Sequence, residues 1–184
     1  MRRSAFFMPE STLILDAKAL QRALTRIAHE IAERNDKSAD VVIIGIQRGG
    51  VHLAKRLSTL LAGIWGHAVP AGTLDVSMHR DDLSHHLAPK VHPTHFPFDV
   101  NAKTVVLVDD VLFSGRTVRA AMDSLNDFGR PKRIQLAVLI DRGHRELPIK
   151  ADFVGKNVPT ALIENIRVKL TEEEGEDSVH LERR

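Results

Sequence analysis

The chain has 184 residues, enough for one domain of ordinary size, and at 43% hydrophobic it can bury a full core. It contains no cysteine, which excludes disulfides and thiolate metal sites and fits a reducing cytoplasm. A net charge of only +2 excludes a uniformly basic polyanion binder, so any nucleic-acid surface must come from local clustering.

The basic start at Arg2 and Arg3 is cut short by Pro9 and Glu10, too early for a signal peptide, and no apolar run approaches membrane-span length. Residues 15–34 read as a helix, with Leu20, Leu24, Ile27 and Ile31 as its core stripe and Asp16 as N-cap or first-turn acid. Its polar face carries Arg22, Arg26 and His29, with Thr25 beside them; such a face is usually just solvated. Residues 41–46 form a short buried strand, 47–50 a Gly-rich loop and 51–61 the next helix. A strand follows at 71–78. Residues 79–98 are irregular, with three prolines and five histidines that lack metal-ligand spacing and read as solvated. The apolar run 105–108 predicts the central strand and 117–128 its helix, broken by Gly129 and Pro131. Further strands are expected at 134–140 and around Phe153 and Val154. Two alternating segments, 166–170 and 178–182, flank an acidic turn and suggest a terminal hairpin. Strands alternating with helices predict an α/β domain with a mainly parallel sheet, whose ligands bind at the carboxyl ends of the strands. Arg48 and Asp109 both fall there.

The densest chemistry lies at 105–117. The backbone N–H groups of Ser114, Gly115, Arg116 and Thr117 can converge on one anion at a helix start, and Gly115 permits unusual backbone angles. Asp109 and Asp110 would repel phosphate but suit sugar hydroxyls or Mg²⁺. An apolar strand, paired acids and an anion loop in that order fit a phosphorylated sugar carrying a metal-bound pyrophosphate.

This stretch resembles the phosphoribosyl pyrophosphate (PRPP) signature of the type I phosphoribosyltransferases. Residues 24–31, 80–83, 135–148 and 151–160 are similar to the PyrR family within that group, bacterial pyrimidine regulators that are also uracil phosphoribosyltransferases. The resemblance implies a type I phosphoribosyltransferase fold: a mainly parallel sheet flanked by helices, a flap near 79–98, and a small hood at 141–160 completed by the C-terminal hairpin. It implies the reaction of uracil with PRPP to UMP and pyrophosphate, with Mg²⁺ entering alongside PRPP. The PRPP loop would comprise Asp109, Asp110, Val111, Leu112, Phe113, Ser114, Gly115, Arg116 and Thr117. Arg48 and Gly49, with Arg80 from the flap, would hold pyrophosphate, and Asp109 and Asp110 would serve the ribose and metal.

Uracil would meet Asp141, Phe153 and Val154, although spacing alone equally allows Phe153 as core filling. Phe113 stands where purine enzymes carry an acid for N7 and so argues for a pyrimidine. The RNA-contacting set carried over is Thr25, Arg26, His29, Arg145, Lys150 and Lys156, of which the last three fall in a basic cluster with Arg142 and His144. The expected partner is a stem-loop in a pyrimidine mRNA leader, bound under control of UMP or UTP to attenuate transcription, by a cytoplasmic homo-oligomer. Two alternatives are an RNA regulator with little transferase activity and a plain salvage enzyme. The chain departs from the family at Gln47, His79 and Phe113, and at Ala161-Leu162-Ile163, where polar residues are usual.

Overall fold

The computed structural model describes residues 11–36, 38–77 and 93–183. Its main sheet has five parallel strands: β2 (Val41–Ile46), β3 (Ala71–Leu74), β4 (Thr104–Leu112), β5 (Arg133–Asp141) and β6 (Phe153–Asn157), in the order β3-β2-β4-β5-β6. The central strands are apolar without alternation because both faces are covered. On β4, Val106 and Val108 pack with helices α1 (Ala17–Arg34) and α2 (Gly50–Trp65), while Val105 and Leu107 pack with α3 (Arg116–Asn126). The α1 stripe of Leu20, Leu24, Ile27 and Ile31 is fully buried as its spacing predicts, and Asp16 caps the helix by accepting from the Ala19 N–H at 2.7 Å.

A second sheet is antiparallel, ordered β1-β8-β7, from β1 (Ser11–Leu15), β7 (Glu164–Lys169) and β8 (Ser178–Arg183). The hairpin of β7 and β8 matches expectation; β1 does not, since the sequence pattern places residue 15 in the helix and marks no strand at 11–14. Ser11 pairs with Glu182, so the strand exists only by a contact across nearly the whole chain. The acidic turn contains one helical turn, α4 (Thr171–Glu174). It is clasped to α2 by Arg56, which donates to Glu172 (Nη2–Oε2 2.6 Å) and Asp177 (Nη1–Oδ2 2.7 Å). These bonds hold the Asp177 carboxyl down at about 2.

Several boundaries differ from the sequence reading. Helix α2 runs to Trp65 and ends at Gly66, whose φ of 74° places it in the left-handed region. Strand β3 stops at Leu74 because Asp75 Oδ1 takes the Ser77 N–H (2.9 Å) and hydroxyl (2.6 Å), folding the chain into a turn. Strand β4 continues through Asp109 and Asp110 to Leu112, paired with β5, so the acids stand on a strand end and not in a loop. No helix among the described residues is long and apolar enough to cross a membrane.

Candidate phosphoribosyl-transfer site

The carboxyl ends of β4, β5 and β6 are level, with Leu112 opposite Asp141 and Asp141 opposite Asn157. Beyond β4 the chain turns at Gly115, where φ is 91° and only glycine is unstrained, and enters α3. The first intrahelical bond runs from the Arg119 N–H to the Gly115 carbonyl (3.0 Å), so the N–H groups before it have no acceptor within the helix. They open onto a cavity of about 280 Å³ lined by Asp109, residues 111–118 and Glu146. The turn is held from outside: the Ser114 carbonyl accepts from the N–H groups of Glu146 (3.0 Å) and Leu147 (3.2 Å), and Arg116 pairs with Glu146 at 2.7 Å.

The two acids are fixed by their own backbone. Asp109 Oδ1 accepts from the Asp110 N–H (3.0 Å) and Asp110 Oδ1 from the Val111 N–H (2.8 Å). The 47–50 loop lies directly on them. A Cβ on Gly49 would sit 2.7 Å from Asp110 Oδ1, and one on Gly50 would sit 2.8 Å from the Val108 carbonyl carbon. This contact, and not general flexibility, is why two glycines follow Arg48. The structure thereby brings the loop that carries Arg48 and Gly49 against Asp109 and Asp110, beside the 113–117 turn. Arg80 and most of the predicted flap lie outside the described residues. The end of that segment is described: His95 pairs with Thr73 through two 2.9 Å backbone bonds beside β3. Among the described residues no group of three or more His, Asp or Glu could cage a metal.

Beside this cavity lies a second, of about 380 Å³, lined by residues 141–145, Asn157, Pro159 and Thr160. Phe113, 36% exposed, borders the first cavity and packs on residues of the second. Its ring lies 4.3 Å from the Arg142 guanidinium and 6.0 Å, edge-on, from His144. Asp141 lines the second cavity. Phe153 does not: it is 2% exposed, four residues back along β6 among α1 side chains, with the Arg34 guanidinium 5.2 Å over its ring. Val154 pairs with Val138 and is likewise distant from the strand end. Both are expected as uracil contacts, and neither lines this cavity. The wall is completed instead by His144 and Asn157, which sequence reasoning missed because register decides which β6 residue reaches the rim.

The basic cluster also needs revision. Arg142 is 5% exposed and wholly inside the hood. Arg145 is bound to the Asp141 carboxylate and donates to the carbonyls of Phe113 (2.8 Å) and Ile149 (3.0 Å), so it organises the 141–149 loop and is not a free surface cation. Arg26 pairs with Glu30 (2.6 Å) and donates to the Val154 (3.1 Å) and Gly155 (2.6 Å) carbonyls on the outer edge of β6. That contact brings the α1 face with Thr25 and His29 alongside β6, which carries Lys156. His29, Lys150 and Lys156 are exposed.

A parallel sheet with an anion cavity at the α3 start, paired acids on the adjoining strand and a glycine loop pressed on them define a phosphoribosyltransferase. The chain belongs to that family, whose phosphoribosyl transferase domain profile matches residues 11–172. Within it the chain is a member of the PyrR group. It is 59% identical over 167 residues to the Bifunctional protein PyrR of Chloroflexus aurantiacus, covering 90% of this chain and 92% of that one. It is 52% identical over 177 residues to the Bifunctional protein PyrR of Listeria welshimeri, covering 94% and 97%. Among solved structures, the hypoxanthine phosphoribosyltransferase of Trypanosoma cruzi superposes with a TM-score of 0.71 at 17% identity, over 94% of this chain and 96% of that one. That likeness concerns the fold alone.

Proposed function

We propose that this protein transfers the phosphoribosyl group of PRPP to uracil, giving UMP and pyrophosphate, and binds pyrimidine mRNA leader RNA in response to uridine nucleotides. The observation that carries the first activity is the 280 Å³ cavity at the α3 N-terminus with Asp109 in its wall. The 5′-phosphate sits there on the backbone N–H groups of 114–117. Asp109 and Asp110 take the ribose hydroxyls. Arg48 and the Gly49 backbone hold pyrophosphate, with Arg80 closing from the flap. One bond forms between C1 of the ribose and N1 of uracil as the C1–O bond to pyrophosphate breaks, and the N1 proton passes to water. Asp109 and Asp110 are oxygen donors that suit Mg²⁺ carried on the substrate phosphates, and its charge would neutralise the leaving pyrophosphate. Uracil lies in the second cavity, against Asp141 and its neighbours, under the hood. Phe113 offers purine N7 no hydrogen bond, which favours the smaller ring.

RNA meets the α1 edge through Thr25 and His29 and through Lys156 on the adjoining β6, with Lys150 contributing from the loop before β6, recognising loop bases more than a regular helix. Arg26 contributes from the same face while it holds β6, and Arg145 shapes the adjoining loop. The active species is a homo-oligomer in the cytoplasm.

Pyrophosphate release with PRPP, Mg²⁺ and each of uracil, hypoxanthine, guanine and orotate tests the transfer. Turnover with uracil alone is expected, abolished in the Asp109→Asn, Asp110→Asn double variant; purine turnover, or an active double variant, would refute the assignment. For RNA, His29→Ala with Lys156→Ala avoids the structural bonds of Arg26. It is expected to weaken leader binding while turnover is retained, and unchanged binding would remove this face from consideration.

A further inference from the structure

Arg142 is spent entirely on holding other groups. Its Nε donates to Thr160 Oγ1 (3.1 Å), and Nη2 donates to the carbonyls of Ala161 (3.2 Å) and Glu164 (2.7 Å). Nη1 reaches Asn165 Oδ1 at 3.4 Å. The face of the same guanidinium lies against Phe113. Burial lowers its pKa from the usual arginine value, opposed by Glu164. One planar cation thus joins three separate pieces of chain: the end of β5, the aromatic residue that opens the phosphate turn, and the hood segment 160–165. A lysine could supply the charge but not the fork and the flat face together.

The two cavities meet at this contact. Phe113 borders the phosphate side, while Arg142, His144 and Thr160 border the other. The 114–117 turn, by contrast, is braced by Glu146, Leu147 and Ile149. Loss of Arg142 should therefore loosen the base side and leave the phosphate side in place.

We propose that Arg142 is a positioning residue for the nucleobase: through its stack on Phe113 and its fork on 160–165, it sets the spacing between the ring platform and the hood. This rests on the assignment of the second cavity to uracil. It gives a charged residue in the basic cluster an internal task in place of an RNA contact. It also explains how polar side chains at 161–163 can be dispensed with: Arg142 holds that segment by backbone carbonyls, so Leu162 and Ile163 stand 71% and 73% exposed without loosening it.

The test is equilibrium binding of UMP and of PRPP with Mg²⁺ to the full chain, for Arg142→Met, Arg142→Lys, Phe113→Leu and the Lys/Leu double variant. UMP should bind about tenfold more weakly to Arg142→Met, with PRPP within about twofold, because a displaced base costs far more than an undisturbed phosphate. Arg142→Lys should recover part of the loss. Should the methionine variant fail to fold, the lysine and leucine variants carry the test. Their losses in UMP affinity should not add, since both break one contact. Equal weakening of UMP and PRPP, or fully additive losses, would overturn the proposal. A wild-type chain that binds PRPP but not UMP would instead refute the uracil assignment, and this inference would fall with it.

Discussion

Replacing Gly49 and Gly50 by alanine, one at a time, should give two different failures from adjacent positions. At Gly49 the new methyl would overlap the Asp110 Cγ and Oδ2 and approach Oδ1 to 2.7 Å, where ordinary contact starts at 3.4 Å, so the carboxylate must retreat by about 1 Å. Asp110 is a short side chain at the rim, held by one bond from the Val111 N–H, and it can move without unfolding anything. Misplacing a reacting group by about 1 Å costs up to about a hundredfold, so Gly49→Ala should lose roughly thirty- to hundredfold in kcat/KM for PRPP. That is about 2 to 3 kcal/mol of barrier. At Gly50 the obstacle is the Val108 carbonyl in the central strand, which is paired on both sides and cannot retreat. Overpacking of this kind costs up to about 3 kcal/mol. In a domain of this size that is a fall of roughly 6 to 12 °C in Tm. Steady-state pyrophosphate release and thermal unfolding, run on both variants, separate the two. Wild-type turnover by Gly49→Ala, or a melting loss as large as that of Gly50→Ala, would refute the reasoning.

Other outcomes follow from the same geometry. Phe153→Ala should destabilise by about 3 to 5 kcal/mol in denaturant unfolding, as expected for a buried aromatic, without a selective loss of UMP over PRPP affinity; a selective loss would return Phe153 to the site. Asp177→Asn should remove about 2 kcal/mol at pH 7, because the Arg56 bond lowers the folded pKa from 3.8 to about 2. A lowered carboxyl pKa stabilises fully above pH 4 and progressively less as pH falls towards 2. The urea-unfolding gap between wild type and variant should therefore narrow over that window, and a constant gap would count against the clasp. Leu162→Ser with Ile163→Ser should change Tm little, since both side chains already stand in solvent.

What the sequence disclosed was local. Residues 105–117 announce a strand, a turn and a helix because each signal lies within a few residues of the next, and the Gly49–Gly50 loop is legible on the same terms. What it hid was long-range. β1 is five residues whose partner strand lies at the other end of the chain. Phe153 looked like a base platform because the place where β6 reaches the rim depends on its register with β5. Arg142 and Arg145 looked like surface cations because composition cannot reveal that one lies on Phe113 and the other on Asp141.

The pairing of β1 with β8 has a consequence for how the molecule comes into being. Chain growth at about 5–20 residues per second leaves the segment from Ser11 to Leu15 waiting roughly ten to thirty seconds for its partner strand. Over that interval Leu13, Ile14 and Leu15 have no neighbour to hydrogen-bond, although the α1 stripe behind them can already seek its core. The parallel sheet and its anion turn can condense first, and the small sheet closes last, when 178–183 leave the ribosome. A nascent chain of this protein would therefore acquire a phosphate site before the hairpin completes its hood.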